Sequence, residues 1–152
     1  MKRIIVDIIS CLFIILFLYT GIFKLLDLTH FKWALSKSPL LKDSYLVVAN
    51  IIPPLEIGIA FLLLVPFFKE KPAYRKWGLR AGTTLMAMFT IYVWYMITFK
   101  SVGLPCTCGG IISLMNWHEH LYFNTAFTIL GILAIILHKR SQLGPMNKVS
   151  VA

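Results

Sequence analysis

The residues best suited to chemistry are two cysteines separated by a single residue. Cys106 and Cys108 lie in the segment Leu104-Pro105-Cys106-Thr107-Cys108-Gly109-Gly110, which we call the cysteine segment. Such a pair can cycle between dithiol and disulfide, because one intervening residue closes a small, strained ring and strained disulfides exchange readily. The glycines that follow leave room for the backbone of a partner. We therefore interpret Cys106 and Cys108 as exchanging thiols.

Two other interpretations of the cysteine pair stay open. The thiols could bind a soft metal such as zinc or copper(I) with His118 and His120. Those histidines are two residues apart on a predicted helix, so they point in different directions, and we assign no metal ligand. A static disulfide is the other alternative, although a bridge across one residue closes too small a loop to constrain much. We favour thiol–disulfide exchange.

The composition indicates that the cysteine pair is held by a membrane protein. The chain has 152 residues, of which 59% are hydrophobic and 14% charged, with a mean hydropathy of +0.80. A soluble domain would carry about a quarter charged residues. Long unbroken apolar runs replace the apolar stripes of a soluble core. We predict an all-α membrane protein, with four transmembrane helices in one bundle and the lipid bilayer as its surroundings.

The apolar runs predict spans at about residues 4–23, 45–68, 79–99 and 117–138. These spans form one domain over residues 1–140, and a loose tail follows at 141–152. Residues 24–44 alternate lysines with large apolar side chains, which predicts a short amphipathic helix on the membrane interface with Trp33 at headgroup depth. Residues 69–78 are predicted to be a compact basic loop.

The distribution of basic residues predicts the orientation. Ten of the fifteen Lys and Arg residues flank the termini and the second loop, and five lie in the first and third loops. By the positive-inside rule, both termini face the cytoplasm. Cys106 and Cys108 then face outward, which in a bacterial inner membrane is the periplasm, where disulfides persist. The net charge of +9 follows from this topology. We expect no nucleic-acid partner, since no basic helix or aromatic platform lies outside the membrane.

Several polar residues within the spans are candidate functional groups. Glu56 follows Pro53-Pro54 in the second span. It is either a structural residue, neutral or hydrogen-bonded, for example to the backbone carbonyls that the prolines leave without a donor, or a functional residue that binds a proton or a ligand. Tyr95 lies in an outer half-span rich in aromatic and hydroxyl side chains, which suits an aromatic belt or, less commonly, a quinone headgroup pocket. We consider Glu56, Tyr95 and His118 for proton handling or quinone contact, with quinone as the candidate cofactor.

The remaining features of the spans are structural predictions. Asn116 and Glu119 have the spacing of a helix capping box. Asn124 is predicted to face other helices. Cys11 lies in the middle of the first span and is predicted to be a buried small hydrophobe.

Three stretches resemble the MauE/DoxX family of small redox-associated membrane proteins. Tyr19-Thr20-Gly21-Ile22-Phe23-Lys24-Leu25-Leu26-Asp27 is similar to the family motif at the end of the first helix, and Pro53-Pro54-Leu55-Glu56 to its second-helix element. The cysteine segment, followed by Trp117 and Asn124, resembles the form with a Cys-x-Cys-Gly-Gly loop. The resemblance implies a four-helix membrane bundle that acts with periplasmic thioredoxin-like proteins in disulfide maturation of exported proteins. Its MauE branch implies a part in methylamine dehydrogenase biogenesis, and its DoxX branch implies quinone-linked sulfur oxidation.

The layout is also similar to vitamin K epoxide reductase-like proteins, in which a cysteine pair near the fourth helix passes electrons to quinone. This chain has Cys-x-Cys rather than Cys-x-x-Cys, and the first outer loop has no second cysteine pair. A relay must therefore include another protein. We predict one component of a thiol–disulfide oxidoreductase system, exchanging with exported or thioredoxin-like proteins. The alternative is a non-catalytic anchor or accessory subunit of a larger membrane complex.

Overall fold

The computed structural model describes residues 2–69, 72–99 and 116–143, and these residues form five α-helices and no strand. The helices are α1 (Lys2–Leu26), α2 (Leu28–Ser36), α3 (Tyr45–Phe68), α4 (Pro72–Thr98) and α5 (Trp117–Leu143). α1 and α4 each pack against both α3 and α5, so the four long helices close into a bundle. The short α2 lies against α3.

The surface of the bundle is that of a membrane protein. All four long helices are long and apolar enough to cross a membrane. Large apolar side chains point away from the bundle, among them Ile15, Phe61, Ile91 and Ile129, each of which is more than half exposed. Such a surface is stable in lipid, where apolar side chains need no cover. The prediction of an all-α, multi-pass membrane bundle is therefore confirmed.

The centre of the bundle is built around Phe13 of α1. Its ring is fully buried and meets the rings of Phe17 and Phe127 edge-on, with centroids 5.6 Å away in both cases. Gly131 of α5 faces Thr83 of α4, and a Cβ atom on that glycine would lie 2.3 Å from Thr83 Oγ1. Only glycine permits so close an approach of the two helices, as is common in membrane bundles.

The predicted amphipathic helix of the first connection is present as α2. The Asp27 carboxylate accepts a hydrogen bond from the backbone N–H of His30 at 3.2 Å, which caps the start of the helix. Phe31 is buried in a cluster with Ala49 of α3, whereas Trp33 is exposed. One face of α2 thus covers the bundle and the other faces outward.

We call the end of the bundle at which α1 and α4 begin the lower end, and the opposite end, at which α1 ends and α5 begins, the upper end. At the lower end α4 starts at Pro72, so the predicted basic loop through Gly78 is wrong. Arg75 is buried in this first part of α4, with Nη1 2.8 Å from Asp7 Oδ1 of α1. The hydropathy of the sequence places Arg75 in a loop, because a hydropathy scale counts every arginine as polar. It does not consider that the charge can be paired with a carboxylate on a neighbouring helix, as it is here with Asp7.

The expectation of a buried Cys11 is also wrong, because its side chain is exposed on α1. A thiol behaves as a small hydrophobe. Lipid accommodates such a group as well as a protein core does, so hydrophobicity alone does not decide which face of a membrane helix it takes.

Candidate functional site

A buried ion pair joins α1 to α3 in the upper half of the bundle. Lys24 Nζ donates a hydrogen bond to Glu56 Oε1, and both side chains are almost completely shielded, at 4% and 1% exposed. Charges inside a membrane bundle are costly unless they are paired, and they mark functional sites more often than other positions do. The pair therefore marks the candidate site.

Gly21 lets α1 approach α3 closely enough for this pair to form. It lies one turn before Lys24, and a Cβ atom at this position would be 2.8 Å from Ile57 Cγ1, 3.1 Å from the Pro53 carbonyl oxygen and 3.4 Å from Glu56 Cβ. Two of these distances are too short for an undisturbed side chain. The glycine of the first motif thus packs directly on the proline–glutamate element of α3.

Two aromatic rings complete the surroundings of the Lys24 ammonium group. Its Nζ lies 5.7 Å from the ring centroid of Phe31 in α2 and 5.2 Å from that of Phe89 in α4. Ring faces attract cations, and the attraction is larger where water is excluded. Lys24 is consequently held by groups from three other helices.

His120 and Asn124 bring α5 to the same place. Both side chains are buried, at 2% and 3% exposed. Together with Thr20, Lys24 and Glu56 they line a small cavity of about 20 Å³, which we call the polar cavity. Thus α1, α3 and α5 each contribute polar side chains to one buried cluster.

A second, larger cavity is also lined by Lys24. It measures about 400 Å³ and is bounded by α1, α2, α3, α4 and the connection after α2; we call it the apolar cavity. Among the described residues its polar side chains are Lys24, Tyr92 and Tyr95. The rest of its wall is apolar and includes Phe31, Leu35, Val48, Ile52, Leu85 and Phe89. Ligand pockets are usually of this kind, with apolar walls and a few placed polar groups.

Ser38 ties the connection after α2 to α4 beside the apolar cavity. The Tyr92 hydroxyl donates to Ser38 Oγ at 3.1 Å, and Ser38 Oγ donates to Met96 Sδ at 3.8 Å. Ser38 is only 1% exposed. These bonds hold the connection after α2, which forms part of the cavity wall, against α4.

The structure locates some of the predicted site residues and not others. Cys106, Cys108, Pro105, Gly109 and Gly110 lie outside the described residues.

Of the remaining candidates, Glu56 is part of the buried ion pair, and Tyr95 lines the apolar cavity. His118 is exposed at the start of α5, while His120 reaches the buried cluster. The predicted divergence of the two histidines is confirmed.

The capping box at the start of α5 is also confirmed. Asn116 Oδ1 accepts from the Glu119 backbone N–H at 2.9 Å, and the Asn116 backbone N–H donates to Glu119 Oε2 at 3.0 Å. These bonds define the point at which residues 100–115 join α5. Asn124 lies two turns further along α5, about 10 Å from Trp117 at 1.5 Å per residue. The buried cluster is therefore close to the end of the bundle at which α4 ends and α5 begins.

Lys24 is the functional candidate that sequence reasoning missed. At the end of an apolar run it was interpreted as the first basic residue of a loop. The sequence nevertheless contained a signal for this pair. A glutamate within a membrane span needs a cation as a partner, and Lys24 directly follows the neighbouring predicted span, one turn after Gly21. Asn124 was correctly expected to face other helices, and it is buried.

Among the comparisons with known proteins, a family model described as methylamine utilisation protein MauE matches residues 2–137. The matched range includes the ion pair, the residues of both cavities and the cysteine segment. No curated protein and no solved structure matches the chain.

Proposed function

The chain belongs to the MauE family, and from this premise we propose that it is a membrane redox protein whose Cys106–Cys108 pair exchanges disulfides with exported or thioredoxin-like proteins. We also propose that the chain is related to DoxX proteins. In this proposal its Cys-x-Cys-Gly-Gly loop is typical of one form of the combined family. The family's description refers to methylamine utilisation, and we propose that the exchange serves protein maturation for an oxidative pathway of that kind.

The observation that carries the proposal is the position of the buried cluster, near the end of the bundle at which α4 ends and α5 begins. The cysteine segment lies between these two helices in the chain. His120 and Asn124 lie within about two turns of the start of α5, and the Lys24–Glu56 pair lines the same cavity. Thiol exchange proceeds through the thiolate, and groups near the reacting sulfurs that accept and release protons favour it. Glu56 and His120 are such groups at the appropriate end of the bundle.

The chemistry runs from the disulfide form of the pair. A thiolate of the partner attacks one sulfur of the Cys106–Cys108 bond, which gives a mixed disulfide and frees the other cysteine as a thiolate. The second thiol of the partner, as its thiolate, then attacks the mixed bond. The partner ends as a disulfide and the pair as a dithiol, so two electrons pass from the partner to the pair. The strain expected of a Cys-x-Cys ring favours this direction.

We further propose that the pair faces the periplasm of a bacterial inner membrane, with both termini in the cytoplasm. The charge count supports this orientation more strongly once the structure is considered. Lys24 and Arg75 are both buried in ion pairs, so neither counts among the basic residues that flank the bundle. Nine basic residues of the termini and the second connection then oppose four of the first and third connections.

The apolar cavity favours a quinone as the electron acceptor that regenerates the disulfide. Reoxidation of the dithiol releases two electrons and two protons, the numbers that convert a quinone to a quinol. The cavity of about 400 Å³ is large enough for a quinone ring and part of its chain, and Lys24 and Tyr95 offer hydrogen-bond donors to its carbonyl oxygens. Tyr95 would thus contact the headgroup.

Thiol titration of the purified protein separates this proposal from an accessory-subunit function. We expect the Cys106–Cys108 bond to be opened by a mild dithiol reductant and to reform on oxidation. We also expect the double variant Cys106→Ser/Cys108→Ser to lose function. A bond that resists mild reductant, together with normal function of the double variant, would establish an anchor or accessory subunit instead.

A further inference from the structure

Two buried polar atoms, on side chains that line the polar cavity, have no hydrogen-bond partner among the described residues. They are Oε2 of Glu56 and Nδ2 of Asn124, both of which have essentially no accessible surface. Their side chains come from α3 and α5 and line the same cavity of about 20 Å³. One atom is a hydrogen-bond acceptor and the other a donor.

Burial of unsatisfied polar atoms opposes folding, and the penalty is greatest where no solvent can reach them. Native proteins remove it by direct pairing or by an ordered water that makes about three hydrogen bonds. A water needs roughly 10–15 Å³ of accessible cavity volume. The polar cavity meets this requirement for one molecule.

The charges around the cavity restrict what it can hold. A metal cation would face the Lys24 ammonium and the Asn124 amide hydrogens. An anion would face the Glu56 carboxylate. An apolar guest would leave both unpaired atoms unsatisfied. A neutral molecule with one heavy atom that both donates and accepts satisfies them, and water has these properties.

We propose that the polar cavity is a binding site for one ordered water, which accepts a hydrogen bond from Asn124 Nδ2 and donates one to Glu56 Oε2. The remaining O–H of the water points to Thr20 or His120, which line the cavity and can accept a hydrogen bond, whereas Lys24, which also lines it, can only donate. The water links α5 to the Lys24–Glu56 pair, and Asn124 is its positioning residue. The inference rests on α1, α3 and α5 and does not depend on the proposed thiol chemistry.

Infrared spectroscopy of the full-length protein, labelled with ¹³C-glutamate, tests this water. The carboxyl band of Glu56 is identified by its loss in Glu56→Gln. In the wild type we expect an O–H stretching band of the bound water, which is recognised because it shifts when the solvent is H₂¹⁸O; we call it the ¹⁸O-sensitive band. We also expect Asn124→Leu to shift the Glu56 band and to remove the ¹⁸O-sensitive band.

Two further variants keep the test decisive. Asn50→Leu makes the same change at an exposed position of α3, and it should leave both bands unchanged. Asn124→Ser retains a donor, so it should fold even where the leucine variant does not, and it should keep an ¹⁸O-sensitive band.

An unshifted Glu56 band in Asn124→Leu, or no ¹⁸O-sensitive band in the wild type, would overturn the proposal. The same measurements in a Cys106→Ser/Cys108→Ser background separate it from the proposed function, because the water should persist there whether or not thiol exchange occurs.

Discussion

Lys24 of α1 and Glu56 of α3 form an ion pair inside a bundle whose four long helices are apolar enough to cross a membrane. The two residues lie 32 positions apart and belong to two different sequence motifs. The close approach of Gly21 to Pro53 joins the same two motifs. What the sequence presents as two separate motifs is therefore one structural unit, and this unit adjoins both cavities.

Removal of one member of the pair should be much more damaging than removal of both. Lys24→Met leaves the Glu56 carboxylate without its cation, and a broken buried pair costs about 3–5 kcal/mol. Replacing both residues, as in Lys24→Met/Glu56→Met, should recover most of that loss. Thermal unfolding in detergent measures the difference, and Lys42→Met, at an exposed lysine, is the matched control. Equal stability of the single and double variants would contradict the pairing.

The close contact of α1 and α3 can be tested with two glycines. Gly21→Ala places a methyl group 2.8 Å from Ile57 Cγ1 and 3.1 Å from the Pro53 carbonyl oxygen, so the helices must separate. We expect a loss of about 1–3 kcal/mol in unfolding free energy. Gly58→Ala is the control, because its methyl group would meet nothing within 4 Å. That change should be neutral or stabilising by up to about 1 kcal/mol through helix propensity.

A result in which both alanine variants behave alike would show that Gly21 does not set the distance between α1 and α3. The ion pair would then need another explanation for its position.

The proposed orientation predicts which cysteines a membrane-impermeant maleimide can reach. In intact cells of a Cys11→Ser strain whose outer membrane has been made permeable, Cys106 and Cys108 should be labelled after reduction. In a variant that lacks all three native cysteines and carries Lys139→Cys, at an exposed position near the end of α5, labelling should require lysis of the inner membrane. The reverse pattern would place the cysteine segment in the cytoplasm.

The membrane helices could be predicted from the sequence because hydropathy is summed over a whole run of residues. An apolar run long enough to span a bilayer rarely occurs in any other kind of structure. The sequence also predicted α2 and the capping box at Asn116, since both depend on local patterns. These features do not require knowledge of which helices are neighbours.

The ion pair and the polar cavity do require that knowledge. Lys24 at the end of α1 has the pattern of an interfacial lysine, and only the approach of Gly21 to α3 brings it to Glu56. Arg75 was misassigned to a loop for the same reason, because its partner Asp7 lies on another helix. Which of His118 and His120 reaches the buried cluster depends on how α5 is rotated about its axis. The spacing of the two histidines does not determine that rotation.

The most direct measurement for the proposed exchange is mixed-disulfide trapping in cells. A single-serine variant, either Cys106→Ser or Cys108→Ser, should accumulate a reducible adduct with the oxidised form of an exported or thioredoxin-like protein. Its remaining thiol can attack the disulfide of the partner, as in the reverse of the proposed exchange, but the second thiol of the pair that would complete the exchange is missing. Cys11→Ser, which alters a cysteine exposed on α1, should behave like the wild type. The double variant Cys106→Ser/Cys108→Ser should form no adduct. Adducts that persist in the double variant, or are absent from both single-serine variants, would contradict the account.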